Sequence, residues 1–350
     1  MIEIDGSLHS GSGTILRHAA ALATLLHEPL HVYRIRAGRD KPGLRPQHLL
    51  ALRACCEMSS GRLEGDAINS QEIHYVPGPR VRGGKYSWDI GTAGSTTMLA
   101  FTLLPLALWA TSPSTFTITG GLFQDFAPSA FHMQRVLLPL IARMGAPLEL
   151  TILRPGYVPE GKGSLGISVG NLPGSLMPLC MVNQGKTRRI RGIALSSHLR
   201  EERVSERMAQ ESVKLLQRWD YEPTIEICYD ESAVQKGAAL LLWAETETGC
   251  LIGSDQAGKR GRRSERIAEF VVESLMEDLG TGATTDRHLA DQLILFAALA
   301  KGNSEFVIPR LTDHVQSNLW LMETFLGTRA SLQGNRLIME GIGFTPSRTR

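Results

Sequence analysis

Residues 1–155 run twice through the same order of strand, helix, strand, helix and strands, with glycine turns at matching points. The first round predicts a short strand over 2–4, a helix at about 14–26, a strand over 30–36, a helix over 46–60 and strands near 62–76. In the second, the glycine turn at 89–95 leads into an apolar helix, 114–119 reads as a strand, Gly120-Gly121 turns, 130–144 is helical and 148–153 is a strand. A chain built this way is an α/β protein made of repeated units.

The longest apolar run, 98–110, has 13 residues and contains Pro105, so it reads as a buried helix rather than a membrane span. With 350 residues, 43% of them hydrophobic and 21% charged, there is chain enough for two or three domains with real cores. Cys55, Cys56, Cys180, Cys228 and Cys250 are odd in number and lack CxxC spacing, which points to neither a zinc site nor a disulfide framework. The chain opens straight into a strand without an apolar leader, and a cytoplasmic location is expected.

Residues 176–280 read as a smaller inserted α/β domain within a core of 1–175 and 281–350. It has strands at 188–195, 223–229 and 238–245 and helices at 200–218 and 262–279. Val204, Met208, Ser212 and Leu215 form a stripe at helical spacing, which is core packing rather than a binding surface.

Chemistry concentrates in 34–53, RIRAGRDKPGLRPQHLLALR, where six Arg or Lys and a Gln surround a Pro/Gly turn against one acid. Arg45-Pro46-Gln47 reads as a helix start, and free backbone N–H groups there favour anions. A solvated basic loop is the plain alternative. The net charge is only +2, so affinity for nucleic acid must come from local patches such as 36–53, 80–85 and 259–266.

The chain resembles the RNA 3'-terminal phosphate cyclase family. The likeness runs through IDGSLHSGSGTILR, IRAGRDKPGLRPQHL, DIGTAGSTTMLAFTLLP, RPGYVPEGKG, HLADQLILFAALAKGNSEF and TDHVQSNLWLMETFLG, in family order, and is loose over 176–280. The resemblance implies repeated βαβαββ units, the build of enolpyruvyl transferases and of the C-terminal domain of a translation initiation factor. It places His314 at the family's histidine, which becomes adenylylated. A neutral, fixed imidazole attacks the α-phosphate of ATP, and the phosphoramidate passes its AMP onward. Taking His314 to lie on a strand, Asp313 diverges from it and Asp291 is the expected orienting group. The resemblance further puts Asp291, Gln292, His288, Phe101 and Pro128 at the ATP, and Arg17, Arg36, Arg39 and Gln47 at the RNA terminal phosphate. Arg17 independently invites an anion, because a cation in the first turns of a helix opposes the macrodipole.

Two other nucleotide motifs fail on their residues. Gly156 to Gly163 nearly spells a P-loop, but Gly163 lacks the hydroxyl that would bind Mg²⁺ and no helix pattern follows. Gly11-Ser12-Gly13 lacks the third glycine and the acid of a dinucleotide fingerprint, and reads instead as a phosphate-facing loop at a helix start. Departures from the family bear on activity. Ser10 stands where a metal-holding glutamate is usual, Phe101 replaces a glutamine, His288 a tyrosine and Lys162 a glycine; Glu3 and Asp5 share one strand face near Ser10. The expected reaction is ATP-dependent conversion of an RNA 3'-phosphate to a 2',3'-cyclic phosphate, with Mg²⁺ or Mn²⁺ accompanying the triphosphate. A catalytically silent cyclase-like RNA-binding protein is the alternative, and an enolpyruvyl transferase a weaker third.

Overall fold

The computed structural model describes residues 1–172 and 174–346. Strand β1 (Ile2–Asp5), helix α1 (Gly13–Leu26), strand β2 (Leu30–Tyr33), helix α2 (Pro46–Ser59) and strands β3 (Arg62–Glu64) and β4 (Ile73–Val76) form the first βαβαββ unit. Its sheet has the order β1-β2-β4-β3, with β1 and β2 parallel and the other pairs antiparallel. β2 stops at Tyr33 rather than at residue 36, because Arg34 and Arg36 adopt left-handed φ of 52° and 53°, which a strand cannot carry.

The second unit repeats the plan with β5 (Gly84–Asp89), α3 (Thr96–Leu108), β6 (Ser114–Gly120), a helical segment, β7 (Leu148–Arg154) and β8 (Gly163–Val169), in the order β5-β6-β8-β7. The helical segment is broken into α4 (Ala130–His132), a π turn (Met133–Leu137) and α5 (Leu138–Arg143). Leu138 donates to the carbonyl of Met133, a five-residue step that brings Pro139, which has no N–H to give, into the first turn of α5. Every residue of α3 except Met98 is buried, as its largely apolar sequence requires, and the threonines within it bond to nearby oxygens.

Strand β9 (Cys180–Met181) begins a third unit. It pairs in parallel with β14 (Ser304–Val307), which is followed by α9 (Asp313–Leu326), β15 (Ala330–Gln333) and β16 (Arg336–Met339); the order is β9-β14-β16-β15, the same pattern again. Helix α8 (Leu289–Leu299) precedes β14. Between β9 and α8 lie β10 (Thr187–Ser197), α6 (Val204–Gln217), β11 (Thr224–Asp230), β12 (Gly237–Thr246), β13 (Leu251–Ala257) and α7 (Ser264–Gly280), with the strands in a separate sheet of order β11-β10-β12-β13. Cys180 and Met181, assigned by sequence to the inserted segment, therefore belong to the sheet of the third unit. β13 had no counterpart in the sequence reading.

Alternation decides what that separate sheet packs against. Ile190, Ala194, Leu240 and Leu242 face α6 and α7 in a cluster of their own, whereas Ile193, Leu195, Leu241 and Trp243 turn to the main core. On α6 the stripe of Val204, Met208, Ser212 and Leu215 lies on the inner side, joined by buried Ser205, Ala209 and Leu216. Among the described residues no helix is long and apolar enough to cross a membrane.

Candidate phosphate-binding site

In each unit a helix follows a parallel strand, so the helix N-termini emerge at the carboxyl edges of the sheets, where open α/β folds place their ligands. The starts of α1, α2, α3, α8 and α9, with the loop before α4, line one cavity of about 600 Å³. Five helix ends therefore turn their positive dipole ends towards one space, which favours anions.

Ser12 caps α1, its Oγ accepting from the N–H of Thr14 at 3.2 Å, after Gly11 turns the chain at φ 50°. Gly13 is needed for space: a Cβ there would lie 2.1 Å from Nε2 of His48. One turn into α1, Arg17 is buried, and its Nη2 reaches only Thr14 Oγ1 at 3.3 Å and Met98 Sδ at 3.2 Å. Among the described residues no carboxylate pairs with it. Burial and then the neighbouring Arg36 lower its pKa to about 10, with the Asp291 carboxyl acting in the opposite sense across the cavity, so it remains a cation at neutral pH with no ion-pair partner among the described residues.

Arg36 and Arg39 are held by backbone carbonyls. Arg36 Nη1 donates to Lys41 and Gly43 at 2.7 and 2.9 Å, and Arg39 Nη2 donates to Ser10 at 2.9 Å. Gln47 Oε1 accepts from the N–H of Ser95 at 2.8 Å, fixing α2 against α3 and leaving the Gln47 NH₂ group to act as a donor. The structure thus gathers Arg17, Arg36, Arg39 and Gln47 into one wall.

His314 lies in the first turn of α9, not on a strand, and Thr312 caps that helix through the N–H of Val315 at 3.2 Å. Its ring makes no hydrogen bond among the described residues. Desolvation by the cavity wall, then the charges of Arg17 and Arg39, lower its pKa and keep it neutral at pH 7. Asp291 lines the same cavity, yet no hydrogen bond joins its carboxyl to His314. The link is indirect: Asn318, one turn beyond His314 and wholly buried, donates Nδ2 to the Asp291 carbonyl at 2.8 Å, and its Oδ1 lies 2.9 Å from His18 Nδ1. Desolvation raises Asp291 to about 7.

The opposite wall holds Phe101, buried between His18 and Phe296, with ring centroids 5.3 and 5.8 Å away, and Pro128, whose carbonyl accepts from Thr97 Oγ1 at 2.8 Å. His288 stands at the N-cap position of α8 without a side-chain cap bond, and Gln292 keeps its Oε1 buried without a partner among the described residues. Below them His132 Nε2 lies 3.0 Å from Asp286 Oδ2, both fully buried. Asp286 also accepts from the N–H groups of Gly253, His288 and Leu289, joining β13 to the start of α8.

Ser10 is committed elsewhere. Its Oγ lies 3.0 Å from Ser12 Oγ and 2.8 Å from Ser317 Oγ, three residues past His314. Asp5 is taken by Ser7 and Arg34, and Glu3, on the same face of β1, lies 3.8 Å from His31. Of the two carboxylates on the cavity wall, Asp125 is tied to Arg262 and Asp291 carries a raised pKa. This donor set does not form a protein cage for Mg²⁺ or Mn²⁺. Lys162, at φ 57°, occupies a left-handed position that suits glycine.

His48, Asn318 and the His132–Asp286 pair were missed in the sequence. Asn318 had one available signal, its position four residues after His314 on a helix.

Convergent helix N-termini, a buried guanidinium without an ion-pair partner and a neutral imidazole without a hydrogen bond, among the described residues, make a cavity suited to phosphate. A family profile described as RNA 3'-terminal phosphate cyclase matches residues 8–332. Curated relatives named RNA 3'-terminal phosphate cyclase include those of Pyrobaculum neutrophilum, 33% identical over 98% of this chain and 99% of its own length, and Archaeoglobus fulgidus, 36% identical over 97% and 100%. That of Nitrosospira multiformis is 37% identical over 94% and 92%. The chain belongs to the RNA 3'-terminal phosphate cyclase family. Among solved structures, the enolpyruvyl transferase NikO from Streptomyces tendae aligns with a TM-score of 0.42 and 10% identity, over 97% of this chain and 48% of that one.

Proposed function

We propose that this chain converts an RNA 3'-terminal phosphate to a 2',3'-cyclic phosphate at the expense of ATP. The observation that carries the reading is the pairing, in one cavity, of Arg17, a buried cation with no hydrogen-bonded carboxylate, with His314, a neutral imidazole with no hydrogen-bond partner, among the described residues. The first asks for a phosphate and the second is free to attack one.

An imidazole nitrogen of His314 forms a bond to the α-phosphorus of ATP as the bond to pyrophosphate breaks. The RNA 3'-phosphate then attacks that phosphorus and the N–P bond breaks, restoring the histidine. Finally the vicinal 2'-OH bonds to the 3'-phosphorus, loses its proton, and AMP departs. Activation is required because a phosphate dianion repels a nucleophile and lacks a good leaving group. Arg17, Arg36, Arg39 and Gln47 hold the 3'-phosphate; planar guanidinium forks satisfy its oxygens two at a time. Asp291, Gln292, His288, Phe101 and Pro128 form the nucleotide side, where the unpartnered Oε1 of Gln292 offers an acceptor to the exocyclic amine of adenine. Mg²⁺ or Mn²⁺ would enter with the triphosphate and lower its charge.

Purified protein incubated with α-labelled ATP should acquire acid-labile, alkali-stable label that is discharged by RNA ending in a 3'-phosphate, and His314→Ala should acquire none. Label persisting on His314→Ala would refute the assignment.

A further inference from the structure

One side chain on the cavity rim is used by neither the phosphate wall nor the nucleotide wall. Phe126 is fully exposed, an aromatic ring with nothing packed on it among the described residues, and its backbone is held at φ 69°, a conformation that Phe rarely adopts. It also lines the same cavity as Arg17, Arg39 and His314.

The surrounding loop is pinned on both sides. Asp125 receives a two-pronged bond from Arg262, at 2.8 and 2.9 Å, with Lys259 at 3.7 Å. The N–H of Ser129 donates to Asp255 Oδ2 at 2.6 Å, and Thr97 Oγ1 to the carbonyl of Pro128 at 2.8 Å. Anchors on β13 and on the turn before α7 therefore present the ring, in a strained conformation, towards solvent. An exposed apolar ring with a fixed backbone is a preorganised stacking surface.

We infer that Phe126 is a base-stacking shelf for the nucleobase at the RNA 3' end. The occupant follows from charge and depth and rests on the function proposed above. The terminal phosphate is drawn to the guanidinium wall, the rest of the polynucleotide must leave through the rim, and the exposed aromatic ring among the lining residues is Phe126. The adenine of ATP belongs deeper, beside buried Phe101 and Gln292. Stacking on a single aromatic ring tolerates any base, so the shelf adds affinity without sequence preference.

The test measures binding of short single-stranded RNAs ending in 3'-phosphate to wild type, Phe126→Ala and Phe126→Trp, with label acquired from ATP alone as a second readout. Phe126→Ala should weaken RNA binding about tenfold or more, Phe126→Trp should restore it, and labelling by ATP should be unchanged in both. An RNA with an abasic 3'-terminal nucleotide should bind wild type and Phe126→Ala alike. Equal affinity of wild type and Phe126→Ala for normal RNA would overturn the shelf, and so would loss of ATP labelling in Phe126→Ala with RNA affinity intact, which would assign the ring to adenine. Preference of wild type for 3'-phosphate over 3'-OH ends tests the underlying function separately. If that preference holds while Phe126→Ala binds normally, only the shelf fails.

Discussion

The side-chain amide of Asn318 donates a hydrogen bond to the backbone carbonyl of Asp291 across 2.8 Å, tying α9 to α8 one turn beyond His314. The same amide's oxygen meets His18 on α1, whose pKa burial lowers to about 3, so a neutral ring donates Nδ1–H to Asn318. Three helices that line the cavity are thus registered by one buried side chain. Asn318→Ala leaves the Asp291 carbonyl and His18 without partners and should cost about 1–3 kcal/mol of stability, read from the denaturation midpoint. It should also slow formation of enzyme-bound AMP more than it weakens ATP binding; unchanged labelling rates would show that His314 is positioned by other contacts.

Gly13 and His48 make a second positional dependence. Because an added Cβ would lie 2.1 Å from the imidazole, Gly13→Ala must displace the ring or the start of α1. The expected cost is about 1–3 kcal/mol, typical of overpacking, together with weaker binding of 3'-phosphorylated RNA. Gly13→Ala in a His48→Ala background should be nearly neutral in stability. Full additivity of the two changes in a double-mutant cycle would refute the steric account.

The contrast between these contacts and the motifs shows where the sequence was legible. The twice-repeated order of elements was plain because glycine turns and hydrophobic periods are local signals, and the arginine-rich turn at 34–53 stood out by charge alone. The third unit was not plain, because β9 has two residues and more than a hundred residues separate it from β14. His314 was placed on a strand since Thr312 was not recognised as a cap. The Asn318–Asp291 and His132–Asp286 contacts join residues 27 and 154 positions apart, a separation at which periodicity carries no information.

The His132–Asp286 pair should set the pH dependence of stability. Burial alone would raise Asp286, but the charge and hydrogen bond of His132 outweigh it and bring the carboxyl down to about 2; burial would lower His132, and Asp286 raises it instead. Asp286 therefore contributes stability that is complete above its ordinary value near 4 and is lost as pH falls towards 2. His132 contributes stability that is complete below about 6.5 and is lost as pH rises through its elevated pKa. Their joint contribution is greatest between about pH 4 and 6.5. Asp286→Asn leaves a buried imidazole without its counter-charge and should cost about 3–5 kcal/mol, with a shallower acid limb in a melting-temperature profile. A parallel downward shift at every pH would show that the pair is not ionised.

Ser10 gives a prediction about metal dependence. Its hydroxyl is engaged by Ser12 and Ser317, Asp125 is bound by Arg262, and the raised pKa of Asp291 withdraws negative charge, so the cavity offers little to a divalent ion beyond what ATP brings. Labelling by ATP should consequently track the concentration of the metal–ATP complex, with no separate saturation by free metal. Ser10→Glu places a carboxylate between α1 and the first turn of α9, where a hard oxygen ligand suits Mg²⁺ or Mn²⁺. It should lower the metal concentration at half-maximal labelling severalfold at fixed ATP, and Ser10→Ala should leave it where it is. A metal titration in which Ser10→Ala raises the midpoint would mean that the hydroxyl is itself a ligand, and the hydrogen bonds to Ser12 and Ser317 would then have to break when ATP binds.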